Sequence, residues 1–443
     1  MKLTLPINSP MRSPQFTYGI ATASFQIEGG IEHRLPCIWD TFCSQPGTIA
    51  DNSNGAVACD HYNLWQQDIE MIKDLNVDAY RLSIAWGRVM NEDGSINHNG
   101  IEFYQQILDK LKQYNIKAFV TLYHWDLPQH LEDNGGWLNR ATAYAFQHYV
   151  EQIVKAFGDR VYSYATLNEP FCSAYLGYEL GIHAPGLKGK EYGKKAAHHL
   201  LLAHGLAMQV LKKLSPNTLN GIVLNFTPAY AISDNDADIK AAKYADDYLN
   251  QWYIKPIIDG QYPAIISQLD AEHQPEILDD DLAIISQPID FMGINYYTRA
   301  IYQADEDTIY QEIKPCDVEL TDMGWEVFPQ GFSDVLISLN KTYDLPPIYI
   351  TENGAAMKDQ NDKGEVNDVD RFNYFQSHLL AVNTAIEAGV DIKGYFAWSL
   401  MDNFEWAEGY LKRFGLVYVD YQTQKRTIKN SGHAFSQLIG SRK

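Results

Sequence analysis

Positive charge is scarce in this chain, with 35 Lys and Arg against 56 Asp and Glu and a formal net charge of −21. Nucleic-acid binding needs a basic face that releases counterions, so nucleic acid and anionic membrane drop out as partners. Long apolar runs are absent too, and no stretch reaches the roughly 18 residues of a membrane span. Between Met1 and Met11 an early lysine and two prolines, Pro6 and Pro10, leave no apolar signal-peptide core, so a cytoplasmic location is expected. The cysteines are few and odd in number (Cys37, Cys43, Cys59, Cys172, Cys316), with no C-x-x-C pair, which argues for a reduced chain. Cys172 reads as a small packing residue without a catalytic role. Neither His124 with His130 nor His198, His199 and His204 show a metal-ligand spacing, so no metal or cofactor is expected and these read as core or solvated histidines. No linker, repeat or low-complexity tract marks a boundary, and residues 1–443 are expected to form one domain.

What is present is a large apolar fraction, 46%, and 13% aromatic residues, enough for a sizeable core with rings to spare for a ligand site. Short β-branched or aromatic runs alternate with longer segments of helical period, the pattern of a parallel sheet covered by helices. The runs are Phe16 to Ile20, Ala79 to Ile84, Lys117 to Leu122, Ser163 to Leu167, Gly221 to Asn225, Asp290 to Ile294, Pro347 to Thr351 and Ile392 to Trp398. Their count predicts a (β/α)8 TIM barrel. Phe146, Tyr149, Val150, Ile153, Val154 and Phe157 share one helical stripe, as do Phe372, Phe375, Leu379, Val382 and Ile386, and Trp65, Ile69 and Ile72. Five connections that follow strands are long: Tyr123 to Arg140, Glu169 to Tyr192, Asn295 to Pro329, Asn353 to Asp368 and Ser399 to Lys429. In a barrel such loops wall the C-terminal mouth and make a deep pocket, suited to chain ends and small glycosides.

Two strands end in a glutamate. Ser163 to Leu167 runs into Asn168-Glu169-Pro170, and Ile348 to Thr351 runs into Glu352-Asn353-Gly354. A closed barrel brings all strand ends to one mouth however far apart they lie in sequence. Glycoside hydrolysis needs two such facing carboxyls, one to protonate the departing oxygen and one to meet the oxocarbenium-like carbon. Either tripeptide alone is better read as turn chemistry, since Pro and Gly punctuate strand ends everywhere. Both together, each beside an asparagine, make coincidence a poor explanation.

Thr166-Leu167-Asn168-Glu169-Pro170 and Ile350-Thr351-Glu352-Asn353-Gly354 resemble the two catalytic motifs of glycoside hydrolase family one, the β-glucosidases. The run Gly19 to Gly29 is similar to the family's first strand, and Tyr80 to Trp86, Tyr123 to Pro128 and Trp398 to Trp406 also match, so the resemblance spans essentially the whole chain. It implies a retaining enzyme in which Glu352 attacks the anomeric carbon and Glu169 is the acid/base. Arg81 beside Glu352 would favour its charged form, and the charge of Glu352 would raise the pKa of Glu169. Tyr297 resembles the tyrosine that hydrogen-bonds the nucleophile. The resemblance further assigns Gln26, His124, Trp125, Asn168, Asn295, Glu405 and Trp406 to the sugar, Trp398 to its stacking floor with Phe414 nearby, and His183, Asn225 and Trp325 to the aglycone side. Read singly, Arg81 is an ordinary strand-end ion-pair residue, Tyr297, Trp398 and Trp406 are packing residues, and Gln26 satisfies a backbone group.

A small β-glucoside or oligosaccharide is therefore the expected partner, with β-galactosides and β-fucosides as side substrates and the oligomeric state open. The nearest alternative within the family is a 6-phospho-β-glucosidase, which carries serine in place of Glu405 and tyrosine in place of Phe414. From another class, a non-catalytic sugar-binding barrel would have lost a catalytic carboxyl, and both are present. His33-Arg34-Leu35-Pro36-Cys37 departs from the family pattern before the tryptophan that follows, which leaves that entrance loop's conformation open.

Overall fold

The structure is a computed structural model and describes residues 1–442. Eight parallel strands close into a barrel: β1 (Thr17–Ala21), β2 (Ala79–Ser83), β3 (Lys117–Tyr123), β4 (Ser163–Asn168), β5 (Leu219–Asn225), β6 (Phe291–Asn295), β7 (Ile348–Asn353) and β8 (Ile392–Trp398). Each strand pairs with its neighbours in sequence, and β1 closes the ring against β8. All eight expected runs become strands, with ends displaced by one or two residues. They are almost wholly buried because one face fills the barrel and the other meets helices, which is why they read as nearly continuous apolar runs.

Aromatic side chains fill the barrel interior. Phe119 contacts Phe396 and Tyr349 at ring separations of 4.8 and 5.5 Å, and Phe291 meets Tyr349 at 5.7 Å. Gly19 makes room for this layer, since a Cβ there would lie 2.3 Å from the Phe396 ring. The lower barrel is therefore a packed core, and ligand space is confined to the mouth.

The principal outer helices are α1 (His61–Asp74), α2 (His98–Gln113), α3 (Ala141–Phe157), α4 (Lys190–Leu214), α5 (Trp252–Asp259), α6 (Pro329–Thr342), α7 (Val369–Glu387) and α8 (Asn430–Gly440). The stripe expected on α3 is buried at all six positions. On α7, Phe375, Leu379 and Val382 are buried while Phe372 and Ile386 are only half-buried, and on α1 Trp65 lies at the margin beside buried Ile69 and Ile72. None of the described helices is long and apolar enough to cross a membrane.

The long loops hold structure of their own. Ala229–Ala231, Ala300–Asp305 and Ile309–Ile313 form a three-stranded sheet outside the barrel, and Val417–Asp420 pairs with Lys425–Ile428. Behind β7 and β8, Arg371 bonds Asp359 and Asp368, both at 2.7 Å, and Lys429 bonds Asp359 at 2.5 Å and Asp402 at 2.6 Å. Arg413 closes the network on Asp402 at 2.6 Å. The network ties the loops after β7 and β8 to α7, and Asp402 is followed directly by the segment Asn403 to Trp406 that enters the mouth.

Candidate active site

Strand register sets the rim. Asn225 of β5 is level with Asn295 of β6, and Asn295 with Glu352 of β7; Ala21 of β1 is level with both Trp398 of β8 and Arg81 of β2. These residues thus come level around one rim. Two backbone features shape it. Glu169, Trp125 and Trp406 have φ of +44°, +74° and +46°, a left-handed conformation that costs a non-glycine residue about 1–3 kcal/mol and persists where surrounding contacts impose it. After Glu352, Gly354 passes so close to β8 that a Cβ would stand 1.8 Å from the Trp398 carbonyl oxygen. Glycine there brings the end of β7 against the end of β8, which goes beyond turn punctuation.

The carboxyls and their partners form one connected set. Arg81 Nη1 donates to Glu352 Oε1 at 2.5 Å, and Tyr297 donates its phenol hydrogen to Oε2 at 2.7 Å, so both oxygens of Glu352 are held. Arg81 Nη2 reaches Asn168 Oδ1 at 2.7 Å, and Asn295 Nδ2 donates to the same oxygen at 3.2 Å and to Glu169 Oε1 at 2.6 Å. Thr351 fixes Asn295 through its Oδ1 at 2.7 Å. Glu169, Glu352, Arg81, Asn168 and Asn295 are all buried, and Tyr297 is half-buried.

These surroundings separate the two acids. Burial pushes Glu169 up to about 8, the charge of Glu352 adds to the rise, and the Asn295 and Cys172 hydrogen bonds oppose it. Burial raises Glu352 also, against the pull of Arg81 and Tyr297. The expectation that Arg81 favours the charged form of Glu352 holds for that pair, but desolvation outweighs it. Glu169 is the natural proton donor of the two, since a carboxyl without its own cation in a buried site retains its proton most strongly.

The sugar side has a determined polarity. Asn168 uses Oδ1 as a double acceptor, so its Nδ2 donates to His124 Nε2 at 3.1 Å. Burial and the Arg81 charge hold His124 well below the usual imidazole range, so it is neutral and carries its hydrogen on Nδ1, which has no partner among the described residues. Gln26 Nε2 donates to Asn403 Oδ1 at 3.0 Å, the Phe404 carbonyl at 2.8 Å and Glu405 Oε2 at 3.4 Å, leaving its Oε1 as an unpaired acceptor. Burial, then the charges of Glu352, Glu408 and Glu169, lift Glu405 to about 8. Trp398 lies parallel to the His124 ring at 5.9 Å, and Trp125, whose indole donates to the Asn168 carbonyl at 2.8 Å, meets Trp406 at 4.5 Å.

On the outer side, Phe414 groups with Tyr297 and Trp325 at ring separations of 6.0 and 6.2 Å, and His183 lies 5.7 Å from the Trp125 ring. Asn225 is half-buried at the end of β5 beside Asn295; of the other expected site residues, Arg81 stands in the middle of β2, Gln26 on the short helix Ser24–Ile27, and the rest at strand ends or on the segments that follow them. Three further residues belong to the set. Trp39 packs on Trp406 at 4.6 Å and on His183 at 5.3 Å. It stands just behind the loop His33 to Cys37, which the Arg34–Asp40 pair anchors at 2.5 Å. Asn403 holds Gln26, and the Cys172 thiol donates to Glu169 Oε2 at 3.1 Å. Cys172 is therefore more than the filler its sequence suggests; its position three residues past Glu169, at the start of a helical turn, was the available signal.

The suspected histidines are structural. His198 bonds Asp281 and Tyr262, His199 bonds the Trp137 carbonyl, and His204 bonds Thr166. Among the described residues no three His, Cys, Asp or Glu side chains are grouped to hold a metal ion.

A closed (β/α)8 barrel whose mouth presents two carboxyls, with a guanidinium and a phenol on one of them, is the frame of a glycoside-cleaving enzyme. The sequence model for glycosyl hydrolase family 1 matches residues 10–443. A β-glucosidase of Agrobacterium sp. (strain ATCC 21400) is 45% identical over 98% of this chain and 97% of its own. A bifunctional β-D-glucosidase/β-D-fucosidase of Bifidobacterium breve is 42% identical over 96% and 97%. The crystal structure of the family 1 β-glucosidase from Exiguobacterium antarcticum B7 superposes with a TM-score of 0.95 at 42% identity, covering 97% of this chain and 98% of that one. The chain belongs to glycosyl hydrolase family 1, whose members are retaining glycoside hydrolases.

Proposed function

We propose that the chain hydrolyses terminal, non-reducing β-D-glucosyl residues of short oligosaccharides such as cellobiose and of aryl or alkyl β-glucosides. Glu352 attacks the anomeric carbon while Glu169 gives its proton to the leaving oxygen, forming a glycosyl ester on Glu352. That ester is neutral, so the charge that holds up the proton affinity of Glu169 is removed, and Glu169 then takes a proton from the attacking water. The observation that carries this reading is the unequal holding of the two carboxyls: Glu352 has Arg81 and Tyr297 on its oxygens, and Glu169 has no cation of its own.

Sugar hydroxyls both give and accept hydrogen bonds, and the Nδ1–H of His124, the Oε1 of Gln26 and the carboxyl of Glu405 complement them around the Trp398 ring. The Glu405 carboxyl offers a 6-phosphate no cation, and Lys412 is already engaged with the Asp322 carbonyl at 2.5 Å. Activity on β-galactosides and β-fucosides is part of the proposal, and the name of the Bifidobacterium relative supports the β-fucoside part. So is a reducing, cytoplasmic setting, consistent with five free cysteines.

An activated 2-fluoro-glucoside should add its glycosyl mass to Glu352, located by peptide mass spectrometry; a label on another residue refutes the assignment. Nitrophenyl glucoside should be turned over in strong preference to its 6-phosphate, and the reverse order would overturn the substrate class.

A further inference from the structure

The thiol beside the acid/base residue has a defined geometry. After Glu169 and Pro170 the chain turns so that the Cys172 backbone N–H donates to the Glu169 carbonyl at 2.9 Å. That turn folds the side chain back, setting Sγ 3.1 Å from Oε2 of Glu169. The other oxygen, Oε1, accepts from the Asn295 amide at 2.6 Å, and Asn295 is itself pinned by Thr351. An amide N–H cannot accept, so a proton on Oε1 would break that bond. The acid's proton therefore belongs on Oε2, the oxygen that faces the thiol.

Resting on the reading of Glu169 as acid/base, we infer that Cys172 is a positioning residue for it, whose S–H donates to Oε2 when Glu169 is ionised and turns aside when Oε2 carries the proton. Cys172 is buried against Glu169, and burial and the Glu169 charge keep its thiol protonated, so it acts as a donor and not as a nucleophile. The choice of sulfur has a consequence. A thiol is a weak donor, so it steadies the carboxylate only slightly and leaves Glu169 a proton affinity suited to both acid and base duty. A hydroxyl in its place would bond the carboxylate more strongly and hold the residue ionised; a methyl or isopropyl group would not bond it at all.

The order of proton affinity at Glu169 should thus be Cys172→Ser below the parent, and Cys172→Ala and Cys172→Val above it. Two readouts test this on the intact enzyme. Carboxyl ¹³C NMR titration of glutamate-labelled protein, with the Glu169 signal identified by its loss in Glu169→Gln, reads the contact directly. The basic limb of the kcat/KM profile for a nitrophenyl glucoside reads its effect on catalysis. We expect Ser to lower both by about 0.5–1 pH unit and Ala to raise both by about 0.5 unit, the size of a weak hydrogen bond to a charged group. Unchanged titration of Glu169 in the Ala variant overturns the inference, as does a shift of Ser and Ala in the same direction. Ala and Ser do not exceed the thiol in size, so they carry the test should Val disturb packing. If the NMR titrations move in the expected order while the kinetic limb stays fixed, the thiol contact stands and the acid/base reading of Glu169 fails.

Discussion

Behind β7 and β8, three carboxylates (Asp359, Asp368, Asp402) meet three cations (Arg371, Arg413, Lys429) in a buried network. In the mouth, of three carboxyls (Glu169, Glu352, Glu405), Arg81 is bonded to Glu352 alone, while Glu169 and Glu405 have no bonded cation among the described residues. Burial pushes Asp359 up, yet Lys429 and Arg371 outweigh it and hold the group below its ordinary value. Burial pushes Glu169 and Glu405 up to about 8, and neighbouring negative charge adds to the rise. Similar burial gives opposite outcomes because one cluster is matched in sign and the other is not. A matched cluster fixes loops in place; an unmatched one stores proton affinity, which is what acid/base chemistry draws on.

The contrast can be broken at several points. Glu352→Ala removes the proposed nucleophile and should lower turnover of nitrophenyl glucoside by about 10⁴-fold or more with the fold intact by circular dichroism. Glu169→Gln should lower kcat for poor leaving groups by about 10²–10⁴-fold, far less for dinitrophenyl glucoside, measured by steady-state kinetics across leaving groups.

The same variant should gain stability at high pH, and the sign follows from linkage. Folded Glu169 keeps its proton up to about 8 while the unfolded group loses it near 4.5. Between those values the native state binds more protons, so stability falls as pH rises, with a slope of order 1 kcal/mol per pH unit that Gln removes. Urea midpoints of parent and variant should therefore coincide near pH 4.5 and separate toward pH 8, the variant being more stable; equal midpoints across the range would show that the mouth is not under this electrostatic load.

In the matched cluster, Lys429→Met leaves Asp359 and Asp402 facing each other without their shared cation, which should cost about 3–5 kcal/mol in urea unfolding. Its effect on kcat/KM should be smaller than that of Glu169→Gln and appear mainly in KM, because the Asp402–Asn403 segment positions Gln26 and Glu405. Trp325→Ala lies outside both clusters and should change KM for aryl glucosides by only a few-fold and leave methyl glucoside unchanged, in a comparison of the two substrates.

The two clusters were not equally legible. Strand-end motifs announced Glu169 and Glu352, and Arg81, Asn168 and Asn295 followed from the family resemblance of the segments that hold them. The six-residue network left no comparable trace, since Asp359, Arg371 and Lys429 lie in a loop, a helix and a strand-to-helix junction that only the closed barrel brings together. The outer sheet escaped for the same reason: Ala229–Ala231 pairs with Ala300–Asp305 across a long sequence gap, and neither run has a pattern that names its partner. Cys172 was visible as a residue, but a buried thiol is usually only packing until a carboxyl is seen beside it.

By itself the sequence determined the eight strands, the helical stripes and the two glutamates at strand ends, because periodicity and strand-end chemistry are local and each is written within a few residues. The tertiary structure alone decided which oxygen of Glu169 faces the thiol, which nitrogen of His124 carries its hydrogen, and which buried charges find a counterion. Those outcomes depend on distances between side chains from different strands and on the water that burial excludes, quantities that exist only after the ring has closed.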